Sequence, residues 1–318
     1  MQHLFLINPI ATKVKGNVES IKNEIESFFG ELGLDNYHIH VTRWARDGMG
    51  YANRFALKSP EPVRIHAMGG SGTLYEAING TIGLPNIQIA AYPLGGSNFF
   101  IHYFRNENEH MFRSVKNQVF SDVIAIDAMR YENNYGIGYG IVGLEAVSDR
   151  DGSDMIEKTG LPTDFCHLFT AIRAILNSSY ISQFYKIEID GRDLSGEYVS
   201  MLIAGGPCYG HDMVPAPEAH PNDGLLDFYL MRKAPSLKIL GIMNSYTAGN
   251  HAKLGGIFVH ERGKRISITG EKDIIMSLDG EKFYERSISY EIVPLAIDFV
   301  VPSTINIGEL PRLYTDKE

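Results

Sequence analysis

Short apolar runs alternate with helical segments in the first part of the chain. Four of these runs have the length and apolar content of buried strands, and they cover residues 3–7, 38–43, 63–68 and 87–93. Apolar residues recur at helical spacing from Val18 to Leu32, which predicts a helix over 17–32, and a more polar helix is predicted over 48–58. This alternation, up to about residue 120, indicates an open, mainly parallel α/β sheet.

The pattern changes after about residue 121. Strand-like segments punctuated by turns follow one another, and only two segments, near 163–178 and 236–248, have helical character. This succession is typical of an antiparallel, sandwich-like domain with helical insertions. We therefore expect two domains, with a boundary near residue 121 that depends on this change of pattern alone.

The third predicted strand runs directly into a glycine-rich turn, GGSGT. Gly69, Gly70 and Gly72 would let backbone N–H groups approach an anion, and the following helix N-terminus would add partial positive charge. Thr73 and Glu76 have the spacing of a capping box, which predicts that the helix starts there. A tight turn without a ligand is the alternative. A P-loop is excluded because no lysine follows, and a GxSxG nucleophile elbow fails at Thr73.

A second glycine turn, PLGGSNFF, follows the fourth predicted strand at the same edge of the sheet. The side chains of Ser97 and Asn98 can donate hydrogen bonds to phosphate oxygens, so two adjacent turns favour a shared phosphate site over two unrelated turns. By contrast, the GxGxxG spacing from Gly138 to Gly143 lies in the strand-rich part of the chain, with no helix predicted after it. We interpret that spacing as coincidence.

Two further stretches carry acidic residues in positions suited to chemistry. In SLDGEKF, Asp279 and Glu281 flank a glycine at the end of an apolar strand. They could bind magnesium or deprotonate a hydroxyl, although Asp-Gly is also a common hairpin turn. In the Gly-, Pro- and His-rich stretch 204–231, Asp223 and Asp227 could hold a structural cation or simply turn the chain. The histidines of that stretch do not have the spacing of a metal motif.

Composition narrows the class of protein. The chain of 318 residues has a formal net charge of −9, with 29 basic and 38 acidic residues, which argues against broad nucleic-acid binding. Its two cysteines, Cys166 and Cys208, are far apart, so we expect neither a disulfide nor a zinc site, and a reducing cytoplasm fits best. The sequence shows no signal peptide and no apolar run of roughly 20 residues, so we expect a soluble or at most peripheral protein.

Taken in order, these motifs resemble the diacylglycerol kinase catalytic-domain family, which includes soluble bacterial lipid kinases and sphingosine kinases and shares its fold with NAD kinases. The likeness extends over nearly the whole chain, and order and spacing make it specific. It comprises Asn8-Pro9 after the first strand, Thr42, GGSGT with Glu76 and Asn79-Gly80, PLGGSNFF, GIGYGIVGLEA, NDGLLD, SLDGE and EIVPLAIDFVVP.

The resemblance implies a two-domain kinase with a Rossmann-like, NAD kinase-like α/β domain and an antiparallel β-sandwich-like domain. Residues 1–120 would bind nucleotide, with 296–318 returning to that domain, and residues 121–295 would bind the lipid. ATP would lie across the two glycine turns. The positions that match nucleotide-site residues of the family are Asn8, Thr42, Gly69, Gly70, Ser71, Gly72, Thr73, Glu76, Asn79, Gly95, Ser97 and Asn98.

On the substrate side, the resemblance implies that Asp279 is the general base and that Glu281 is its catalytic neighbour. Asp223 and Asp227 match a structural magnesium site, so ATP and Mg²⁺ are the expected cofactors. The lipid substrate would be met through peripheral contact at the inner face of a membrane, and a homodimer is left open.

Three positions depart from the family pattern in the nucleotide half. Ser71 and Phe99 stand where the family has aspartates, and Gly96 replaces a threonine. Phosphoryl transfer depends on cations that neutralise developing charge, and neither Ser71 nor Phe99 supplies a carboxylate to hold them. Two hypotheses follow: an ATP-dependent kinase for diacylglycerol or a related lipid, or a weak or inactive homologue that binds lipid or nucleotide. A kinase for a water-soluble hydroxyl compound is a third.

Overall fold

A computed structural model of the chain describes residues 1–96, 98–104, 106–208, 213–250, 254 and 256–305. Its first part alternates strands and helices. The elements are β1 (Gln2–Ile7), α1 (Val18–Glu31), β2 (Tyr37–Val41), α2 (Asp47–Lys58), β3 (Val63–Gly69), α3 (Ser71–Thr81) and β4 (Ile87–Pro93). Two 3-10 segments, Phe99–Phe104 and Asn106–Arg113, and α4 (Val115–Phe120) then lead to β5 (Asp122–Tyr131).

The first four strands form a parallel sheet in the order β2-β1-β3-β4, which confirms the predicted α/β architecture. Both faces of this sheet are covered. On one face, Ile25 and Phe29 of α1 pack in a cluster with Phe5. On the other face, Leu4 and Leu6 pack in a cluster that includes α3 and the segment Phe99–Phe104. Burial of both faces explains why the strands read as nearly continuous apolar runs.

The second part is dominated by antiparallel strands, which confirms the predicted β-rich domain. Its elements are β6 (Asn134–Gly136), β7 (Tyr139–Gly143), α5 (Leu144–Thr159), α6 (Thr163–Leu176), α7 (Ser178–Ile181), β8 (Gln183–Ile189), β9 (Arg192–Asp193), β10 (Gly196–Ala204), β11 (Leu226–Arg232), α8 (Ser236–Thr247), β12 (Phe258–Gly263), β13 (Arg265–Leu278) and β14 (Glu281–Val301). The two predicted helices are α6 and α8. The sequence pattern gave no sign of α5, because this helix is predominantly polar. Among the described residues, no helix is long and apolar enough to cross a membrane.

The last strand, β14, takes part in both halves of the molecule. It is 21 residues long, and its first part pairs with β13. Near its end, Asp298 and Phe299 pair in parallel with Gln88 and Ile89 of β4. The antiparallel strand β5 runs beside β14 from residue 290 to residue 301. The two halves therefore share one continuous hydrogen-bonded ladder.

A buried aspartate stabilises the bend in this ladder. Between Val293 and Ile297 the register of β14 against β5 shifts, and Leu295 adopts a positive φ of 48°. The carboxylate of Asp127 accepts hydrogen bonds from the N–H groups of Leu295 and Gly224, each at 2.7 Å. Burial raises the pKa of Asp127, although both hydrogen bonds act in the opposite direction. The bend in β14 is thus held by the side chain of Asp127, which lies on the neighbouring strand β5.

The predicted capping box is wrong. Helix α3 begins at Ser71, two residues earlier than expected, and Gly70 occupies its N-cap without a capping side chain. Glu76 instead accepts hydrogen bonds from the N–H groups of Arg46 (2.8 Å) and Met49 (3.2 Å). Its carboxylate therefore holds the start of α2 rather than the start of its own helix.

Two buried histidines lie side by side on β1 and β3. Nδ1 of His3 and Nε2 of His66 are 3.1 Å apart, and the His66 ring stacks on Phe5. Burial, with a contribution from the nearby Arg64, lowers the pKa of His3 to about 4 and that of His66 well below its usual value. Both rings are therefore neutral in the folded protein at neutral pH.

This pair makes stability dependent on pH. In the unfolded chain a histidine takes up a proton near pH 6.5, whereas in the folded chain His3 does so only near pH 4. Protonation therefore favours the unfolded state as the pH falls from 6.5 towards 4. We expect the free energy of unfolding to drop by the order of 2 kcal/mol between pH 7 and pH 5 because of His3 alone, as measured by urea unfolding.

A variant pair checks the assignment. In His3→Gln/His66→Gln the slope of stability against pH should flatten over this range, whatever the absolute stability of the variant. The exposed His38, changed to Gln, is the control and should leave the slope unchanged. An unaltered slope in the double variant would show that other groups cause the acid sensitivity.

Candidate active site

The carboxylate of Asp279 is held by three backbone N–H groups. Oδ2 accepts a hydrogen bond from Ile137 at 2.6 Å, and Oδ1 accepts from Gly138 at 3.0 Å and from Tyr139 at 2.9 Å. We call these three N–H groups and the carboxylate the Asp279 nest. Asp279 and Gly280 both have positive φ and form the turn between β13 and β14. The hairpin turn expected from Asp-Gly is therefore present, and it places a carboxylate in the interior.

Two glycines make room for this nest. A Cβ atom on Gly136 would lie 2.7 Å from Oδ2 of Asp279, and one on Gly138 would lie 3.0 Å from Oδ1. The GxGxxG spacing that begins at Gly138 is followed by a helix, α5, contrary to our expectation. Even so, Gly140 lies within β7, where it faces the ring of Tyr290, and not in a phosphate-binding turn. No local sequence pattern connects these glycines with Asp279.

Burial changes the acid–base behaviour of this carboxyl group. Asp279 is 4% exposed, and removal from water raises its pKa to about 6 although its three hydrogen bonds act in the opposite direction. A carboxylate with a pKa near neutrality is ionised at pH 7 and holds a proton more readily than a solvated aspartate. The nest therefore provides a group able to accept a proton under ordinary conditions.

Phe99 connects the nest to the first half of the protein. Its side chain is 2% exposed, and its ring lies 4.9 Å from that of Tyr139 in an edge-to-face arrangement. A Cβ atom on Gly138 would overlap the Phe99 ring, so the ring packs directly on the backbone of the nest. The end of the second glycine turn thus contacts, across the two halves, the residues whose backbone holds the candidate base.

The two glycine turns touch each other. The N–H groups of Leu94 and Gly95 donate to the carbonyl oxygen of Gly69 at 2.9 and 3.0 Å. A Cβ atom on Gly95 would overlap the backbone of Gly70, and the amide of Asn98 donates to the Gly95 carbonyl at 3.0 Å. The structure therefore brings together Gly69–Thr73 and Leu94–Asn98. Ser97 lies outside the described residues.

The ends of β1 and β2 complete this edge of the sheet. The amide of Asn8 donates to Oγ1 of Thr73 at 3.3 Å, and a Cβ on Gly69 would overlap the Thr73 side chain. At the end of β2, Thr42 donates its N–H to the Ile7 carbonyl at 2.9 Å. Asn8 and Thr73 therefore fix the first glycine turn against the neighbouring strand.

Glu76 and Asn79, which match nucleotide-site residues of the family, both form hydrogen bonds with backbone groups of this chain. Glu76 holds α2, as described above. The amide of Asn79 donates to the Tyr135 carbonyl at 2.7 Å and accepts from the Tyr135 N–H at 2.8 Å. These hydrogen bonds help to position α2, α3 and β6, and the predicted contact of both residues with nucleotide stays a prediction.

Tyr75, which the sequence did not single out, faces the candidate base from α3. Burial, together with the negative charges of Glu281 and Asp279, raises its pKa to about 12. Its hydroxyl donates to Oδ1 of Asn134 at 2.8 Å. Helix α3 thus presents the glycine turn at its start and faces Asp279 and Glu281 one turn later.

Asp223 and Asp227, predicted to bind magnesium, lie around an arginine. Asp227 is fully buried. Its carboxylate accepts a hydrogen bond from Nε of Arg262 at 3.2 Å and lies 2.6 Å from Nε2 of His260. Asp223 forms an ion pair with the same guanidinium. Glu218 is near enough to Asp227 and His260 for the three to surround an ion. Arg262 already supplies positive charge to both aspartates, so magnesium here would have to compete with it.

The protein combines a parallel α/β sheet with a β-rich half. The two halves meet near a buried carboxylate and two glycine turns. A family model described as "Diacylglycerol kinase catalytic domain" matches residues 2–131, and one described as "YegS C-terminal NAD kinase beta sandwich-like domain" matches residues 141–301. The chain therefore belongs to the diacylglycerol kinase catalytic-domain family, as the sequence motifs indicated.

Individual relatives agree with this membership. A Staphylococcus aureus (strain JH9) protein named "Putative lipid kinase" is 26% identical over 241 residues, which cover 74% of this chain and 76% of that protein. The solved structure of a "putative diacylglycerol kinase" from Bacillus anthracis (strain Sterne) has a TM-score of 0.73 at 21% identity and covers 96% of this chain and 98% of its own. At that identity the structural likeness supports the fold alone.

The aspartate pair around Arg262 gives a test of the magnesium prediction. Replacing Arg262 by Ala would leave two carboxylates with little solvent and less positive charge, so we expect a loss of roughly 2 kcal/mol or more in the free energy of unfolding. Lys22→Ala removes an exposed ion pair with Glu19, far from this cluster, and is the control, expected to cost less than about 1 kcal/mol. Denaturant unfolding in the presence and absence of EDTA measures both.

The two cations give opposite results in this experiment. If Arg262 is the stabilising charge, EDTA leaves the free energy of unfolding of the wild type unchanged, and Arg262→Ala lowers it. If magnesium is the stabilising charge, EDTA lowers the free energy of unfolding of the wild type, and Arg262→Ala has little effect on it.

Proposed function

We propose that this protein is an ATP- and Mg²⁺-dependent kinase that transfers the γ-phosphate of ATP to the hydroxyl of diacylglycerol or a related lipid. The observation that carries the proposal is the Asp279 nest, a buried carboxylate with a pKa of about 6 that packs, through Phe99, against the glycine turns. Family membership supports a lipid kinase and the use of ATP. A cytoplasmic location at the inner face of the membrane would give access to both substrates.

The glycine turns suit the phosphates of a nucleotide. The N-cap of α3 is Gly70, which has no side chain to cap the helix, so the positive end of the helix dipole is directed towards this edge of the sheet. Gly70 and Gly95 let the two turns approach so closely that one phosphate chain could contact both. These features support nucleotide binding at the carboxyl edge of the parallel sheet, where ligands of such sheets bind.

Asp279 would act on the lipid hydroxyl. Its carboxylate would accept the hydroxyl proton while the oxygen attacks the γ-phosphorus and ADP leaves. The three N–H groups of the nest hold the carboxylate in one orientation, and burial keeps its proton affinity high enough for this task. The lipid would reach it from the β-rich half.

Magnesium has fewer protein ligands than the family pattern provides. The ion usually takes one or two carboxylates together with substrate phosphates, and it would neutralise charge on the transferring phosphate. Glu281, beside the base, offers a carboxylate, and Ser71 offers a hydroxyl. Both oxygens of Asp279 already accept hydrogen bonds, so Glu281 is the better candidate ligand.

Substitution of the base tests the proposal. We expect Asp279→Asn to lower the turnover number by at least about a hundredfold, since it removes the proton acceptor, while ATP affinity stays within a few-fold. In the wild type, activity should fall as the pH drops through about 6, because a protonated Asp279 cannot accept a proton. Transfer of labelled phosphate to diacylglycerol in mixed micelles, and ATP titration calorimetry, measure these quantities.

A control on the same strand excludes a general effect of removing a charge. Asp273, an exposed residue of β13, can be changed to Asn and should retain activity. Full activity in Asp279→Asn would remove this residue from the mechanism.

The two missing aspartates should respond differently to restoration. Ser71 is only partly buried at the start of α3, so Ser71→Asp should strengthen Mg·ATP binding by about tenfold through an added metal ligand. Phe99→Asp would place a carboxylate in a core site beside Asp279, and we expect it to destabilise the fold by about 3 kcal/mol. Calorimetry and thermal unfolding distinguish these effects.

The unmodified protein supplies the reference for this experiment. Micromolar binding of Mg·ATP by the wild type supports a competent site. Binding seen only after Ser71→Asp would favour the weak or inactive homologue instead.

A further inference from the structure

Helix α6 presents a row of large apolar side chains to solvent. Their positions follow the spacing of one helical face, and between 38% and 62% of each residue is exposed: Phe165, Leu168, Phe169, Ile172 and Leu176. The opposite face of the helix is occupied by Cys166, Thr170, Ala174 and Ile175, which are buried. The helix therefore already has a core-facing side, and the exposed row is additional to it.

Helix α8 extends this apolar surface. Its Leu237 is 78% exposed and its Leu240 is 42% exposed. Oγ of Ser236, at the start of α8, lies 3.1 Å from Oγ of Ser178, which follows the end of α6, so these two helices are neighbours. We call the exposed row of α6 together with Leu237 and Leu240 the α6–α8 face. Soluble monomers rarely expose so many clustered large apolar side chains without a partner.

The charges beside this face favour an anionic partner. Residues 232–250 contain Arg232, Lys233 and Lys238 and no acidic residue, within a chain whose formal net charge is −9. Lys233 forms an exposed ion pair with Glu197 at 3.3 Å, so Arg232 and Lys238 provide the excess positive charge. An apolar helix face beside lysine and arginine is the pattern by which proteins lie in the surface of an anionic bilayer. In a symmetric dimer through the same face, residues 232–250 of each copy would bring cations and no acidic residue to the interface, which disfavours a second copy as the partner.

The α6–α8 face is connected to the candidate base through α5. This helix follows directly from β7, whose first residue, Tyr139, donates to Asp279. On α5, the carboxylate of Asp149 lies 4.0 Å from Nζ of Lys282, three residues after Asp279, and the Ser148 carbonyl accepts from Oγ1 of Thr170 on α6 at 3.1 Å. A bilayer on the outside of α6 would thus be separated from the base by two helices, α6 and α5.

We propose that the α6–α8 face inserts into the surface of an anionic lipid bilayer and so positions the β-rich half to receive a lipid. This inference rests on the proposed lipid kinase function, because a lipid substrate would lie in a bilayer. It adds the surface by which the protein contacts that bilayer. The exposed apolar row enters the region beneath the headgroups, and the cations of residues 232–238 contact the anionic headgroups.

Vesicle sedimentation tests the proposal on the full chain. We expect binding to vesicles of phosphatidylglycerol and phosphatidylcholine, weakened at high salt and for phosphatidylcholine alone. The variant Leu168→Gln/Phe169→Gln should lose at least about tenfold in vesicle affinity, since it removes two large apolar groups from the bilayer. Leu57→Gln changes a comparably exposed residue on α2 and is the matched control, expected to bind like the wild type.

Kinase assays with short-chain diacylglycerol below its aggregation concentration separate this proposal from the proposed function. The α6 variant should keep full activity on that dispersed substrate and lose activity on vesicles. Equal vesicle binding by variant and wild type would overturn the docking surface while the kinase function stands. Absence of phosphate transfer to either form, with vesicle binding still dependent on α6, would reject the kinase function instead.

Light scattering decides between a bilayer and a second copy of the chain. We expect the wild type and the Leu168→Gln/Phe169→Gln variant to have the same mass in solution. A wild-type dimer that the variant converts to a monomer would overturn the proposal in favour of a protein interface.

Discussion

The hydrogen bonds from residues 137–139 to the Asp279 carboxylate are the interaction on which the rest of the site depends. A carboxylate out of contact with water is costly unless donors replace its hydration. Here three N–H groups replace part of the lost hydration, and the part that is not replaced raises the pKa of Asp279. To bring the donors there, the connection from β6 to β7 must cross the tip of the β13–β14 hairpin. That crossing requires two glycines and leaves a surface on which Phe99 packs.

Helix α3 sets the distance between the two chemical halves of the site. Its first residues form the glycine turn, Tyr75 faces the candidate base, and Asn79 holds the β6 backbone. A single rigid element therefore fixes the phosphate-binding edge relative to the nest. The contact between Phe99 and Gly138 fixes the same relationship a second time, from the other glycine turn. Phe99 is buried there and contributes an apolar side chain to the packing between the halves.

Much of the fold could be predicted from the sequence, because its parallel strands are buried on both faces and its antiparallel strands are punctuated by turns. The failures have local causes. Helix α5 is too polar to produce an apolar period, and the predicted capping box failed because Glu76 is used by a distant backbone segment. Arg262 was not connected with Asp223 and Asp227, because the pairing of β11 with β12 that brings them together is not visible in the sequence.

The candidate site was predictable to a similar extent. Family motifs identified Asp279 and both glycine turns, and the structure brings them together. They could not show that Asn79 would be occupied by the Tyr135 backbone, because a motif records a residue type and not the direction of its hydrogen bonds. The functions of Gly136, Gly138 and Tyr75 depend on contacts across the two halves, which no local pattern records.

The pairing of β14 with β4 has a consequence for whether such a protein could be divided into two parts. The parallel sheet is built from the first third of the chain, but one of its edges is closed by residues near 299, from the far end of the second part. Without that strand, β4 would expose unpaired backbone groups, and Phe100 and Phe104 would lose their contact with Phe299. The stretch that carries the nucleotide motifs is therefore not a self-sufficient module. Expressed alone, that stretch would need another strand beside β4 to cover its exposed edge.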